Sequence, residues 1–168
     1  MHQPQDAEGF RIAQISKRRD VIRLVSYTDA GQLLAWISAQ EHQGSWLVLA
    51  SNAFVDGWGP LMYEALLVFL ATHHGSVWLT MGLSTSPSAR KVWERFAERM
   101  DVDFTEIGQK PNGAPIYAMR ARPELVKRQA HLLDFDERPE VSRALRDYLA
   151  DPHHSEEGNI EIRANGLD

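Results

Sequence analysis

Apolar and polar positions divide this chain into segments of recognisable period. In "FRIAQISKRRDVIRLVSY" two stretches, Arg11–Ile15 and Val21–Tyr27, read as strands on either side of a basic cluster of Lys17, Arg18 and Arg19. "DAGQLLAWISAQEH" sets Leu33, Leu34, Trp36 and Ile37 at the spacing of one helix face and predicts a helix there. "SWLVLASNAFV" is a short continuous apolar run, the pattern of a strand buried on both faces. It feeds a Gly57-Trp58-Gly59-Pro60 turn and then an apolar helix over Leu61–Thr72. His73 and His74 suit the C-terminal dipole of that helix, and Gly75 suits a left-handed cap.

"SVWLTMGL" predicts a second buried strand. In "STSPSARKVWERFAERM" Ser86 takes the N-cap position and Pro87 the first helical position, where a proline costs least. Ala89, Val92, Trp93 and Phe96 then share one face, with Arg90, Lys91, Glu94 and Arg95 on the other. Phe104–Ile107 and Ile116–Arg120 read as strands joined through a "KPNGAP" turn. From Pro123 two short amphipathic helices, "PELVKRQAHLLDF" and "RPEVSRALRDYLAD", precede a polar tail. The order predicts a mixed α/β (α+β) sheet and not a repeating βαβ unit. The expected organisation is a flexible N-terminus over 1–9, a domain over 10–121, and a helical extension with tail over 122–168.

Composition narrows the function classes. The chain has 168 residues, 43% of them hydrophobic, which is enough for one well-formed core. A net charge of −5 argues against a generally basic nucleic-acid surface, leaving only a local patch as a route to such a partner. With no cysteine, disulfides, thiolate metal sites and a cysteine nucleophile are excluded. "MHQPQDAEGF" lacks the charged and apolar regions of a signal peptide, and "ALLVFLA" is too short to span a bilayer. A cytoplasmic protein without a membrane partner is expected. Adjacent histidines do not share a helix face, so His73 and His74 are not read as metal ligands, and no metal is expected.

Two readings of the glycine turn are open from the pattern alone. It serves as a tight strand-to-helix connection with Trp58 packed beneath it, or it leaves the first helical N–H groups facing an anion such as phosphate. The wider layout bears on the choice. A buried strand, this turn, a helix, a further strand and a helix opening "SPSARKVWERF" resemble the central part of the GNAT N-acetyltransferase superfamily over roughly residues 10 to 121. That family carries Q/R-x-x-G-x-G/A at the turn after its fourth strand, where the pyrophosphate of acetyl-CoA binds. Here Phe54-Val55-Asp56-Gly57-Trp58-Gly59 aligns both glycines and puts Phe54 at the Gln/Arg position. Ala89 aligns in the later helix, and Trp93 stands where the family often has a thiolate-protonating tyrosine. A narrower likeness, through "GWGPLMY" and "STSPSARKVW", is to short GNAT-like proteins of bacteriophage genomes.

The resemblance implies a GNAT-like fold with a helical C-terminal extension. It also implies an N-acyltransferase that moves an acyl group from acetyl-CoA, or another acyl-CoA, to an amine acceptor, from a phage or prophage and acting in the host cytoplasm. Val55, Gly57, Trp58 and Gly59 would meet the pyrophosphate, with Ser86 and Arg90 beside the pantetheine or phosphate arm. Trp93 has no acidic group, since an indole N–H only donates hydrogen bonds. Proton transfer then falls to other residues: Glu41, His42, Asp56 or Glu64 as base and Tyr63 as acid. Arg90, Lys91, Arg95 and Arg99 are alternatively a solvated helix face paired with Glu94 and Glu98. The competing function is a catalytically inactive binding or virion-associated module, whose C-terminal helices dock on a protein partner.

Overall fold

The computed structural model describes residues 10–14, 19–82, 85–132 and 139–150. The readings made for residues 1–9, for Ile15, for Lys17 and Arg18 and for the tail from 151 lie outside these residues. Seven strands form one mixed sheet: β1 (Phe10–Gln14), β2 (Val21–Thr28), β3 (Leu33–His42), β4 (Ser45–Ala53), β5 (Leu79–Thr80), β6 (Val102–Gln109) and β7 (Pro115–Ala121). Their order across the sheet is β1-β2-β3-β4-β5-β7-β6. Among the described residues only the β4–β5 pair is parallel. The helices are α1 (Trp58–His73), α2 (Pro87–Phe96), α3 (Pro123–Gln129) and α4 (Pro139–Ala150), with a 3₁₀ turn over Ala130–Leu132.

One predicted element is of the wrong type. Leu33–His42 is a central strand paired with β2 on one side and β4 on the other, not a helix. Leu33, Leu34, Trp36 and Ile37 fit a helix face by spacing, but every residue from 34 to 39 is buried. A strand covered on both faces loses the alternation that would identify it. The two-residue Gln43–Gly44 turn beyond it, with both residues at positive φ, closes the hairpin into β4. The predicted strand at "SVWLTMGL" shrinks to Leu79–Thr80, and α1 begins at Trp58, three residues before Leu61.

The sheet separates two packing regions of unequal size. On the first face Ile22 and Leu24 of β2 and Ala35, Ile37 and Ala39 of β3 meet α1. That helix buries Trp58, Leu61, Met62, Tyr63 and the whole run from Ala65 to Leu70. It is apolar nearly all round because it lies between the sheet and the outer helices α2 and α3, with Trp93, Phe96 and Leu125 in the same cluster. On the second face Val25, Tyr27, Trp36 and Ala50 form a smaller cluster closed by Leu145 of α4. Both C-terminal helices therefore bury a leucine on this chain's own sheet. No helix among the described residues is long and apolar enough to cross a membrane.

The seam between β4 and β5 is where the sheet parts. These strands pair only through Trp46 with Leu79 and Leu47 with Thr80. The register of β3 on β4 then jumps from Ala39–Val48 to Ser38–Ala50, leaving Leu49 as an extra residue. Such a bulge bends its strand, and here it falls just past the last β5 pair. Gly82 marks the other side of the seam: a Cβ there would lie 2.7 Å from the Val48 carbonyl oxygen. From Leu49 to Ala53 the β5-facing edge of β4 has no strand against it among the described residues.

Candidate functional site

A cavity of about 300 Å³ opens at this unpaired edge of β4. Its wall takes Ser51, Asn52 and Ala53 from the end of β4, Asp56, Gly57, Gly59 and Pro60 from the glycine turn, and Met62 and Tyr63 from α1. Ser86, Ser88, Ala89 and Val92 of the α2 start close the far side, and Trp36 of β3 completes it. Two helix N-termini thus converge on one opening.

The turn is built for this approach. Gly57 is the N-cap of α1 at φ 89°, in the left-handed region that side chains with a Cβ avoid. No side chain caps α1 and no acidic residue stands in its first turn. Its leading N–H groups are therefore free of an internal carboxylate, and the helix dipole adds positive potential there. A Cβ at Gly59 would meet nothing within 4 Å, so this position borders open space. The start of α2 differs: the Ser86 hydroxyl accepts from the Ala89 N–H at 3.2 Å, an N-cap bond that engages one of its donors.

Tyr63 is the buried phenol on the cavity wall. It is 3% exposed, and its ring meets the Trp93 ring edge-on at 5.7 Å. Burial raises the phenol pKa above 10, while the nearby Ser51 hydroxyl and Trp93 indole pull the other way. The phenol therefore holds its proton at neutral pH. Trp93 itself is fully enclosed, and its Nε1–H has no partner at hydrogen-bonding geometry among the described residues. From Tyr63 the aromatic packing continues through Trp93 and Phe104 to Tyr117 on β7.

The structure brings together only some of the residues singled out in the sequence. Gly57, Gly59, Tyr63, Ser86 and Asp56 line the cavity. Trp58 turns its side chain into the core, 6% exposed, and Val55 stands at the surface outside the lining. Arg90 points to the hairpin instead: its Nη2 donates to the Pro115 carbonyl at 2.9 Å and its guanidinium lies over the Tyr117 ring. Lys110 lies close enough to Arg90 for that charge, together with burial, to lower its pKa. Glu41 and His42 sit at the β3–β4 hairpin, paired with Trp46 and Ser45, whereas the cavity lies at the opposite end of that ladder. Glu64 accepts from Arg99 at 2.6 Å and from Arg128 at 3.4 Å, in an ion-pair network completed by Asp101. His73 packs on Phe69 and His74 on Trp46.

Sequence reasoning missed Ser51, Asn52, Ser88 and Trp36 as lining residues, and it missed Tyr148. The adjacent Ser51 and Asn52 interrupt an apolar run just before the glycine turn, a signal that was present. Tyr148 reaches the site by accepting a hydrogen bond from Asn52 Nδ2 at 2.8 Å, across 96 residues of sequence. No local pattern could announce that contact.

The chain matches no protein-family model and no curated protein. Among solved structures it is similar to nourseothricin acetyltransferase, at 17% identity over 62% of this chain and 67% of that one, with a TM-score of 0.43. It is also similar to a spermidine N-acetyltransferase SpeG chimera from Vibrio cholerae and hSSAT, at 13% identity over 64% of this chain and 70% of that one, with a TM-score of 0.44.

Proposed function

We propose that this protein is an acyl-CoA-dependent N-acyltransferase, acting from acetyl-CoA or a related thioester on an amine. The observation that carries the reading is the cavity at the open edge of β4, where the uncapped N-terminus of α1 and the buried Tyr63 phenol share one wall. Gly57 and Gly59 offer backbone N–H groups to the pyrophosphate, while the Trp58 N–H donates to the Val55 carbonyl at 3.4 Å and Pro60 supplies none. The pantetheine arm runs along the unpaired β4 edge past Ser51 and Ala53, and Ser86 borders it from α2.

The chemistry asks little beyond positioning. The amine nitrogen forms a bond to the thioester carbonyl carbon, the carbon–sulfur bond breaks, and the departing sulfur takes a proton. Tyr63 is the group placed to give that proton, one helical turn beyond Gly59. It takes the role that Trp93 cannot fill. Asp56 lines the cavity but adjoins the turn offered to the pyrophosphate, away from the thioester, so the amine proton passes to solvent. Glu41 and Glu64 do not line the cavity. The rival reading, a binding module docked through its C-terminal helices, draws less support because Leu125 and Leu145 are buried within this chain. A phage or prophage origin rests on the "GWGPLMY" and "STSPSARKVW" motifs alone.

Gly59→Glu tests the reading. Gly57 would be strained by any side chain, but Gly59 borders open space, so the variant keeps its fold while setting a carboxylate against the pyrophosphate. Isothermal titration with acetyl-CoA is expected to show at least about a 100-fold loss of affinity, the size of a repulsive charge pair in a partly desolvated site. Unchanged affinity in a variant with native circular dichroism would sink the assignment.

A further inference from the structure

A second cavity, of about 370 Å³, lies toward the C-terminal end of α1 and shares no lining residue with the cavity at the glycine turn. Its size falls within the range of small-molecule sites, about 300 to 1,000 Å³. Leu67 and Ala71 of α1, Val77 before β5, Ala121 of β7 and Val126 of α3 give it apolar walls. The ionisable residues of the lining are Arg120 and Lys127, and both are cations. Arg120 is fixed in place: its guanidinium lies 4.4 Å from the centre of the Trp78 ring, and its Nε donates to Asp103 at 2.9 Å. That carboxylate is shared with Arg122 at 3.7 Å, so two guanidiniums answer to one negative charge. On α3, Arg128 is matched by Glu64 and Asp101, whereas Lys127 forms no ion pair among the described residues.

Apolar walls and an excess of positive charge select a ligand with both characters. Phosphate or another wholly polar anion would leave the walls uncovered, and an uncharged hydrocarbon would leave Lys127 without a partner. The end of α1 orients the ligand: its dipole is negative near Gly75 and repels an anion, so the charged group belongs at the side of β7 and α3. We propose that this crevice binds a small apolar monocarboxylate, its hydrocarbon part against Leu67, Ala71 and Val126 and its carboxylate at Lys127 beside Arg120. The site is separate from the acyl-transfer cavity and stands whether or not that reading holds.

The test titrates octanoate, below the concentration at which it forms micelles, into the full chain labelled at its valine methyl groups. Val77 and Val126 report on this crevice, and Val92 reports on the cavity at the glycine turn. Octanoate is expected to shift the resonances of Val77 and Val126 and to leave that of Val92 in place. Octanol is expected to bind about 10- to 100-fold more weakly, the worth of a hydrogen bond to a charged group, and octylamine not to bind. Lys127→Gln, at an exposed residue with no ion pair to lose, should keep the fold and weaken octanoate about tenfold. Gly59→Glu, which is aimed at acetyl-CoA, should leave octanoate affinity unchanged, so that the two sites fail or stand separately. Shifts at Val92 in place of Val77 and Val126, or no shift in the folded parent, would overturn the proposal. Equal affinity for octanol, or a Lys127→Gln variant that binds octanoate as the parent does, would overturn it as well.

Discussion

The two faces of the sheet are buried by different means. Under α1 the contacts are almost wholly apolar, a continuous cluster from Ile12 and Ile22 through Leu66 and Leu70 to Leu125. Under α4 the apolar cluster is short and shares its space with two buried polar atoms, the Trp36 indole nitrogen and the Ser38 hydroxyl, that have no hydrogen-bond partner among the described residues. Burying apolar area stabilises without direction, whereas burying polar groups stabilises only when each finds a partner. The first face therefore holds the molecule together. The second face, with polar atoms buried among fewer apolar contacts, contributes less to that stability. The cavity lies where the two regions meet, around the free edge of β4.

Matched truncations on the two faces put the comparison at risk most directly. Leu66→Ala, at a fully buried position under α1, is expected to cost about 3 to 4 kcal/mol in urea unfolding. Leu145→Ala removes a leucine just as buried, but from a helix that covers a small cluster, and about 2 kcal/mol is expected. Its effect should concentrate in faster amide exchange over α4 with β2 and β3 little changed. Equal losses, with exchange spread over the whole sheet, would mean that the faces do not differ in the way described.

A smaller effect is expected from acid titration of the ion-pair network that ties α1 to α3. The Arg99 guanidinium holds the Asp101 carboxyl down to about 2 from an ordinary 3.8, against partial burial, and Arg128 assists. Because the folded pKa is the lower one, this stability is present above pH 3.8 and is lost as pH falls toward 2. Thermal melts between pH 5 and 2 should show that decline, and Arg99→Gln should flatten it. A variant whose acid limb is as steep as that of the parent would place the acid sensitivity elsewhere.

The smallest expected change belongs to the exposed contact between the end of β4 and α4. Phe54 is 37% exposed and meets Tyr148 edge-on, so Phe54→Ala should cost only about 0.5 to 1 kcal/mol of stability. A loss of several kcal/mol would show that the lip of the second face carries more of the fold than its exposure implies.

Where the sequence could be read and where it could not depends on the range of each interaction. The glycine turn, the Ser86 cap before Pro87 and the hairpin around "KPNGAP" are local and stood in the sequence as residue types at fixed offsets. Tyr63 was accessible for the same reason, lying four residues after Gly59. β3 was not, because burial on both faces removed the alternation that separates a strand from a helix. With Trp36 placed on a helix, its cross-strand neighbour Asn52 could not be recognised as half of a pair. Arg90 carried the right charge for a phosphate, but its reach to the Pro115 carbonyl depends on a hairpin 25 residues away. Glu64 likewise looked like a free carboxylate until Arg99, just past the end of α2, and Arg128 of α3 closed on it.

The bond between Asn52 and Tyr148 closes a loop of 96 residues, and that separation has a bearing on the order of assembly. The β2–β3, β3–β4 and β6–β7 hairpins close over short connections, which cost little chain entropy to form. The contact of α4 with the end of β4 must wait for a distant helix to return to a sheet already in place. In a chain that is still gathering itself, the sheet and its local turns can therefore form before α4 closes the second face, which makes that face the last to be completed.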